Sequence, residues 1–191
     1  FSGGSVFFDW KTSSDYYMKP GSGIDVVLNY GTHLLDLFNF LFGKPLKVSG
    51  FIGQARIRNV EVSDRAVATI QYEDAFAVLN TFYTRSAAPD TNFVEIHGFD
   101  GKLSFYLDQP VISFYKRDSI VNKLRGARKF TIGERIDFLY PYVQEIRDFV
   151  ESVKGHRLPY VTGQDGRSAL ELALATRRSC ESGQSVALPL K

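Results

Sequence analysis

The chain has 191 residues, of which 44% are hydrophobic and 23% charged, and its formal net charge is +2. That charge is too small for nucleic acid or an anionic membrane to be the main partner. The single cysteine, Cys180, excludes an internal disulfide and metal sites built from clustered cysteines. We therefore expect one domain over residues 1–191, in a cytoplasmic protein with no nucleic-acid or membrane partner.

Aromatic residues are unusually frequent, with sixteen Phe and ten Tyr making up most of a 14% share. Because aromatic side chains favour pleated, half-buried surfaces, a large sheet is expected. Residues 4–10 form the first predicted strand, which ends at Trp10. A polar loop that begins at Lys11 then leads into a helix.

The predicted helix runs from Gly23 to Phe42 and stops at Gly43 and Pro45. It is apolar over most of its circumference, but one side carries a polar stripe. The stripe comprises Asp25, Asn29, Thr32, His33, Asp36 and Asn39. Buried polar groups cost stability unless they have partners, so this stripe indicates either a site or a set of structural contacts.

After Pro45 the apolar residues recur with period 2, which is typical of strands. The predicted strands are Val48–Ile57, Arg65–Tyr72, Ala75–Tyr83, Asn92–Ile96, Leu103–Leu107, Val111–Tyr115 and Arg128–Ile132. Hairpin turns are expected at Glu73-Asp74 and at Asp100-Gly101. The basic segment 116–135 is expected to leave the sheet; such a segment is more often a solvated loop than a phosphate site.

Two helices follow. The first covers Pro141–Val153 and is ended by Gly155; the second covers Gly166–Ser182, with Asp165 as its N-cap and Gly183 after its end. A short strand is expected at Val186–Leu188. This order predicts an α+β domain: an open, mostly antiparallel β-sheet with helices packed on one face and the other face free to bind.

Asn29, His33 and Asp36 are spaced so that one helix face presents all three. A histidine oriented by an acidic neighbour is suited to proton transfer near neutral pH. A buried histidine satisfied by a backbone carbonyl would show the same spacing. A metal site is disfavoured because Asn is a poor transition-metal ligand and neither a cysteine nor a second histidine belongs to the pattern.

Sequence motifs for a dinucleotide or a nucleophile are absent. The chain contains no G-x-G-x-x-G, P-loop, G-x-S-x-G or H-E-x-x-H. We therefore expect no cofactor-binding residues in this chain. Trp10 is a candidate for lining a sugar-binding pocket, although a lone tryptophan more often belongs to a core.

Three spaced motifs resemble those of one family. The segment Asn29–Asp36 resembles the D-x-G-x-H-x-x-D motif of the Gfo/Idh/MocA oxidoreductases, the glucose–fructose oxidoreductase and inositol dehydrogenase family. The segment Glu95–Leu103 resembles that family's G-x-x-G-x-L hairpin. The segment Thr162–Leu170, with Ala175, Ser179 and Gly183, is similar to its C-terminal signature. The resemblance spans nearly the whole chain.

The resemblance implies a protein with an N-terminal Rossmann domain that binds NAD or NADP, followed by an open-sheet domain that carries the substrate site and oligomer contacts. This chain would be that second, dihydrodipicolinate-reductase-like domain, with the Rossmann domain absent from it and the cofactor bound mainly there. His33 matches the family histidine that accepts the substrate hydroxyl proton. The chain departs from the family in two places: Asn29 replaces an aspartate, and Gly23-Ile24-Asp25 stands where the family has three glycines.

The expected function is hydride transfer between a nicotinamide cofactor, NAD or NADP, and a sugar, cyclitol or nucleotide-sugar hydroxyl. His33 and Asn29 are the expected catalytic residues, Trp10, Lys11 and Asp25 are expected to contact substrate, and no metal is expected. A homo-oligomer formed through the open sheet face and inactivity of this chain alone are also expected. Two alternatives stay open: a non-catalytic sugar-binding or sensory protein, and a dimerisation module.

Overall fold

The structure, a computed structural model, describes residues 25–53, 62–82, 93–107, 109–117, 128–131 and 139–191. Its helices are α1 (Thr32–Phe42), α2 (Tyr140–Gly155) and α3 (Gly163–Ser182). Its strands are β1 (Lys47–Gly53), β2 (Arg65–Gln71), β3 (Phe76–Phe82), β4 (Phe93–Gly98), β5 (Gly101–Tyr106), β6 (Val111–Lys116), β7 (Arg128–Thr131) and β8 (Val186–Ala187). The predicted strand at 4–10 lies outside the described residues.

The first sheet has the strand order β3-β2-β1-β8, and every neighbouring pair is antiparallel. Its register aligns Val48 with Ile70 and Ile70 with Ala77, so these buried residues form one row across the sheet. Alternate residues of β2 point outward and are exposed. This alternation is the period-2 pattern of the sequence, and it gives the sheet one buried and one open face.

The main core lies between the buried face of the first sheet and two helices, α1 and α3. Leu35 of α1, Ile70 and Leu79 of the sheet, and Leu172 of α3 are fully buried there. Small residues of α3, such as Ala175, let that helix approach β1 closely. The core therefore fixes α1, which carries the predicted polar stripe, against a rigid sheet.

The second sheet has the order β4-β5-β6-β7 and is also antiparallel throughout. Val94 of β4 is buried in the same cluster as the residues of the first sheet. The turn between β4 and β5 consists of Phe99 and Asp100, one residue earlier than the predicted Asp100-Gly101; Gly101 is the first residue of β5, and a Cβ on it would overlap the carbonyl oxygen of Tyr115. The α+β class with open antiparallel sheets is confirmed, and among the described residues the strands form two sheets.

Two helix ends differ from the prediction. The N-cap of α3 is Thr162, not Asp165; Asp165 is the third helical residue, and its carboxylate accepts the Thr162 N–H at 2.7 Å. The two residues form a capping box, in which each side chain accepts the backbone N–H of the other residue. From the sequence alone, either residue could be taken as the N-cap. At the end of α2 the left-handed residue is His156, with φ 47°, and Gly155 is still helical. Gly183 is left-handed after α3, as predicted.

Helix α2 exposes its apolar side. We call this surface the α2 stripe; it consists of Tyr142, Val143, Ile146, Phe149, Val150 and Val153, which are 40–63% exposed. The buried residue of α2 is Ser152, on another side of the helix. The prediction that all helices pack their apolar sides on the sheet therefore holds for α1 and α3 but not for α2.

Among the described helices, none combines the length and the apolar character that crossing a membrane requires.

Candidate functional site

The predicted polar stripe begins in a π-helical turn, not in an α-helix. Residues Val27–Gly31 form this turn, and α1 continues from it at Thr32. The Gly31 N–H donates to the carbonyl oxygen of Val26, five residues earlier, at 3.0 Å. Such turns are rare in proteins and are frequent at functional sites. Asn29 lies within the turn, and His33 lies two residues after its end.

Side chains at both ends of the turn satisfy its polar backbone. Oδ1 of Asp25 accepts the N–H groups of Val27 and Leu28, each at 2.9 Å. At the other end the Thr32 hydroxyl donates to the carbonyl oxygen of Leu28 at 2.8 Å. Helix starts leave such N–H groups without intrahelical partners, so Asp25 acts as a cap here.

Gly31 faces β3 at the end of the turn. A Cβ there would be 3.4 Å from the carbonyl oxygen of Val26 and 3.5 Å from Cδ2 of Leu79. These are ordinary van der Waals contacts, so an alanine would fit, whereas a side chain that extends beyond the Cβ would meet the sheet.

His33 is exposed, and Asn29 is partly exposed. The structure therefore does not place His33 as a buried structural histidine. The far end of the stripe is structural instead, since the buried Tyr72 hydroxyl donates to Oδ1 of Asn39 at 3.0 Å. Burial raises the pKa of Tyr72. The chemically available part of the stripe is thus its N-terminal half.

Asp36 follows His33 by three residues and has an unusual environment. Burial and the negative charge of Asp165 raise the pKa of the Asp36 carboxyl, and the nearby His33 lowers it in part. This places three titratable groups, two acids and one imidazole, where α1 meets the start of α3. His33 is the exposed member of this group and is therefore the one that a ligand can reach.

The structure adds residues that sequence reasoning missed. Nη1 of Arg177 on α3 lies 4.0 Å from Oδ2 of Asp25, and its Nε lies 3.1 Å from Glu181. Asp64 is buried, and its carboxylate lies 3.4 Å from Nε of Arg65. The only signal for Arg177 in the sequence was its spacing of four from Glu181, which surface helices often show.

The remaining predicted site residues are placed as follows. Asp25 lies at the helix start, where its carboxylate caps the turn, while Trp10 and Lys11 lie outside the described residues. A second histidine of the described residues, His97, was not a predicted site residue; it lies on β4, and its Nε2 is 2.5 Å from Oε1 of Glu95. Among the described residues, no three His, Cys, Asp or Glu side chains are grouped to hold a metal ion.

Comparison with protein families gives a match over residues 5–188 to the model described as "Oxidoreductase family, C-terminal alpha/beta domain", that is, Gfo/Idh/MocA. The chain belongs to this oxidoreductase family. The three motifs that suggested the Gfo/Idh/MocA resemblance all lie inside the matched range. No curated protein sequence matches the chain.

Solved structures of Gfo/Idh/MocA type share the fold at low sequence identity. A levoglucosan dehydrogenase in complex with NADH and levoglucosan has a TM-score of 0.84 at 18% identity, covering 100% of this chain and 59% of that one. An oxidoreductase from Agrobacterium radiobacter in complex with NAD+, L-tartaric acid and magnesium has a TM-score of 0.77 at 13% identity, covering 97% and 56%. An oxidoreductase domain protein from Kribbella flavida has a TM-score of 0.78 at 19% identity, covering 99% and 59%. The chain thus spans somewhat more than half the length of these proteins.

Proposed function

We propose that the complete protein is an NAD- or NADP-dependent oxidoreductase that acts on a hydroxyl group of a sugar, cyclitol or nucleotide sugar. The observation that carries this proposal is an exposed His33 with Asp36 three residues further on the same helix. Family membership and the similarity to a levoglucosan dehydrogenase bound to NADH support it. This chain would contribute the substrate side of the site.

The cofactor would be held outside this chain, because the chain has no glycine-rich loop for its phosphates. A bound nicotinamide would supply the hydride acceptor. The residues of this chain would then accept the proton that the substrate hydroxyl loses. As the C–H bond of the alcohol breaks and a carbonyl forms, a ring nitrogen of His33 accepts the hydroxyl proton. Asn29 carries no charge and would orient the hydroxyl by hydrogen bonding.

The carboxylate of Asp36 would favour the protonated imidazole after that transfer. The influence of His33 on Asp36 supports this role: the nearby His33 lowers the pKa of the Asp36 carboxyl, against the larger raising effects of burial and Asp165. Trp10, Lys11 and Asp25 would complete the substrate site. Asp25 would do so from the helix start, where one of its oxygens already holds two backbone N–H groups.

The test is reduction of NAD+ or NADP+ by the full-length protein with a panel of sugars and polyols that includes levoglucosan. For a substrate that is turned over, H33Q is expected to lower kcat/KM by roughly 10²- to 10⁴-fold. H97Q is a matched control, because His97 is an exposed histidine on β4, and it is expected to keep normal activity. Equal activity of wild type and H33Q would overturn the assignment of His33.

A non-catalytic sugar-binding protein is the alternative that Asn29 favours, since it replaces the family aspartate. In that case the full-length protein would bind NADH without exchanging hydride with any member of the panel. N29D would then be expected to create some turnover. Turnover by the wild-type protein would exclude this alternative.

We also propose that the open face of the first sheet pairs with a second copy of the protein. Phe51 is 79% exposed there, and Val67, its partner in the register, is also exposed. Exposed apolar side chains in adjacent strands are typical of interfaces. Light scattering should show an oligomer for the wild type and a smaller species for the double variant F51E/V67E. F99E, at the tip of the β4–β5 hairpin, is the control and should leave the mass unchanged.

A further inference from the structure

The π-helical turn determines how Asn29 is oriented relative to His33. A π turn uses one more residue than an α-helical turn, so it rotates the residues before it by roughly 100° relative to the helix that follows. Asn29 lies inside the turn, and His33 is the second residue of α1. If the turn relaxed to α-helical geometry, the two side chains would no longer have the same relative direction.

Asp25 makes three of the bonds that define the start of this turn. Its Oδ1 accepts the N–H groups of Val27 and Leu28, and its carbonyl oxygen accepts the N–H of Asn29 at 2.9 Å. The next carbonyl, that of Val26, accepts the N–H of Gly31 across five residues, and this bond gives the turn its π-helical spacing. The side chain of Asp25 therefore anchors the first residues of the turn, directly before the π-helical bond.

The core helix α3 restrains the same carboxylate from the other side. Oδ2 of Asp25 lies 4.0 Å from Nη1 of Arg177, and Nε of Arg177 is held by Glu181 at 3.1 Å. The two oxygens of Asp25 thus have different partners: one caps the turn, and the other faces α3. Because α3 is packed against β1, this contact connects the turn to the main core of the domain.

We propose that Asp25 is a positioning residue: through the π-helical turn that it caps, and with Arg177 behind it, it sets the orientation of Asn29 relative to His33. This role of Asp25 in orienting Asn29 does not depend on whether the protein is an enzyme, whereas its effect on reaction rate rests on the proposed oxidoreductase function. A displacement of about 1 Å in a catalytic group can cost roughly 100-fold in rate.

The structural test uses the full-length protein labelled with ¹⁵N-glycine and ¹³C-carbonyl valine. A through-hydrogen-bond coupling between the Gly31 nitrogen and the Val26 carbonyl reports the π-helical bond. The coupling is expected in the wild type and in D25N, whose amide oxygen can still accept both N–H groups, and it should disappear in D25A. A coupling that persists in D25A, or that is absent from the wild type, would overturn the proposal.

The kinetic test uses the same variants with a substrate that the wild type turns over. D25A is expected to lower kcat by roughly 10- to 100-fold with a smaller change in KM, and D25N should restore most of the rate. Equal losses in D25A and D25N would contradict a positioning role. D74A, in the hairpin between β2 and β3, is the control. If no substrate is turned over, the oxidoreductase function fails while the coupling experiment still decides the proposal.

A milder variant covers the case in which D25A does not fold. R177Q keeps the cap and removes the ion pair behind it. Amide hydrogen exchange at Gly31 is expected to accelerate by about two- to five-fold, the effect of a partly exposed ion pair. Unchanged exchange at Gly31 in R177Q would contradict the role of Arg177.

Discussion

A Cβ on Gly50 would lie 2.8 Å from Sγ of Cys180, so the thiol of α3 occupies the space that a side chain at position 50 of β1 would need. The same Cβ would lie 2.9 Å from the carbonyl oxygen of Val67. G50A is therefore expected to destabilise the protein by about 1–3 kcal/mol, because a packed interior must shift to admit the methyl group. Chemical denaturation of wild type and variant measures this difference.

Gly166 provides the control for that experiment. It lies in the first turn of α3, and a Cβ there would have no atom within 4 Å. G166A is expected to stabilise the protein by roughly 0.5–1 kcal/mol, since alanine has less freedom to lose on folding. Adding C180A to G50A should recover only part of the loss, because the Val67 carbonyl remains. A stable G50A would contradict the close packing of α3 on β1.

Asp36 should lower the stability of the domain at neutral pH. The pKa of its carboxyl is raised in the folded state, so folding disfavours the ionised form. This penalty is absent well below the ordinary carboxyl pKa and develops as the pH rises through that value towards the raised one. D36N should therefore stabilise the protein at about pH 7, by less than about 1 kcal/mol, and have little effect near pH 3.

The pKa of Asp165 is shifted in the opposite direction to that of Asp36, so D165N serves as the comparison for D36N. Hydrogen bonds from Thr162 lower the pKa of the Asp165 carboxyl, so its charge stabilises the fold above the ordinary carboxyl pKa. D165N is expected to destabilise the protein at neutral pH. Melting temperatures of both variants between about pH 3 and pH 7 test the two signs together. Changes of the same sign at neutral pH would show that one of the two environments is described wrongly.

Glu95 lies between Lys102 and His97 on the second sheet. Lys102 donates to its Oε2 at 2.8 Å, and His97 lies against its Oε1; both lower the pKa of Glu95, and the Lys102 hydrogen bond contributes most. The resulting stability is present above the ordinary pKa of a glutamate and is lost as the pH falls through the lowered one. E95Q should cost less than about 1 kcal/mol at pH 7 and nothing near pH 3. A loss that is independent of pH would contradict this origin.

Because the α2 stripe is exposed, substitution of Ile146 should affect stability much less than substitution of Leu172. Ile146 lies in the stripe and is mostly exposed, whereas Leu172 is fully buried in α3. In the 191-residue chain, I146K is expected to change stability by less than about 0.5 kcal/mol. L172A should cost about 2–5 kcal/mol. A large loss in I146K would show that the stripe is covered in solution.

The strands were predictable because an alternating pattern states which residues face the core. The predicted strand Arg65–Tyr72 and the observed β2 differ by one residue, and β3 agrees with its prediction to the same accuracy. The exposed state of the α2 stripe was not predictable in this way. A periodic apolar stripe shows which side of a helix avoids water, but it does not say what lies opposite that side.

The candidate site was predictable in composition but not in geometry. The spacing of Asn29, His33 and Asp36 placed them on one helix side, and the structure keeps His33 accessible. That reasoning assumed the rotation of an α-helix throughout, so it could not anticipate the π-helical turn at Val27–Gly31. The role of Asp165 beside Asp36 depends on a contact between α1 and α3, which are separated by more than a hundred residues in the chain.

The π-helical turn also affects how related sequences should be aligned with this one. A π-helical turn amounts to one inserted residue in an otherwise regular helix. A relative with an ordinary α-helix could therefore keep its histidine in the same place with one residue fewer before it. An alignment would then show a single-residue gap near Val27–Gly31, and residues matched without that gap, including Asp25, would be compared with the wrong position.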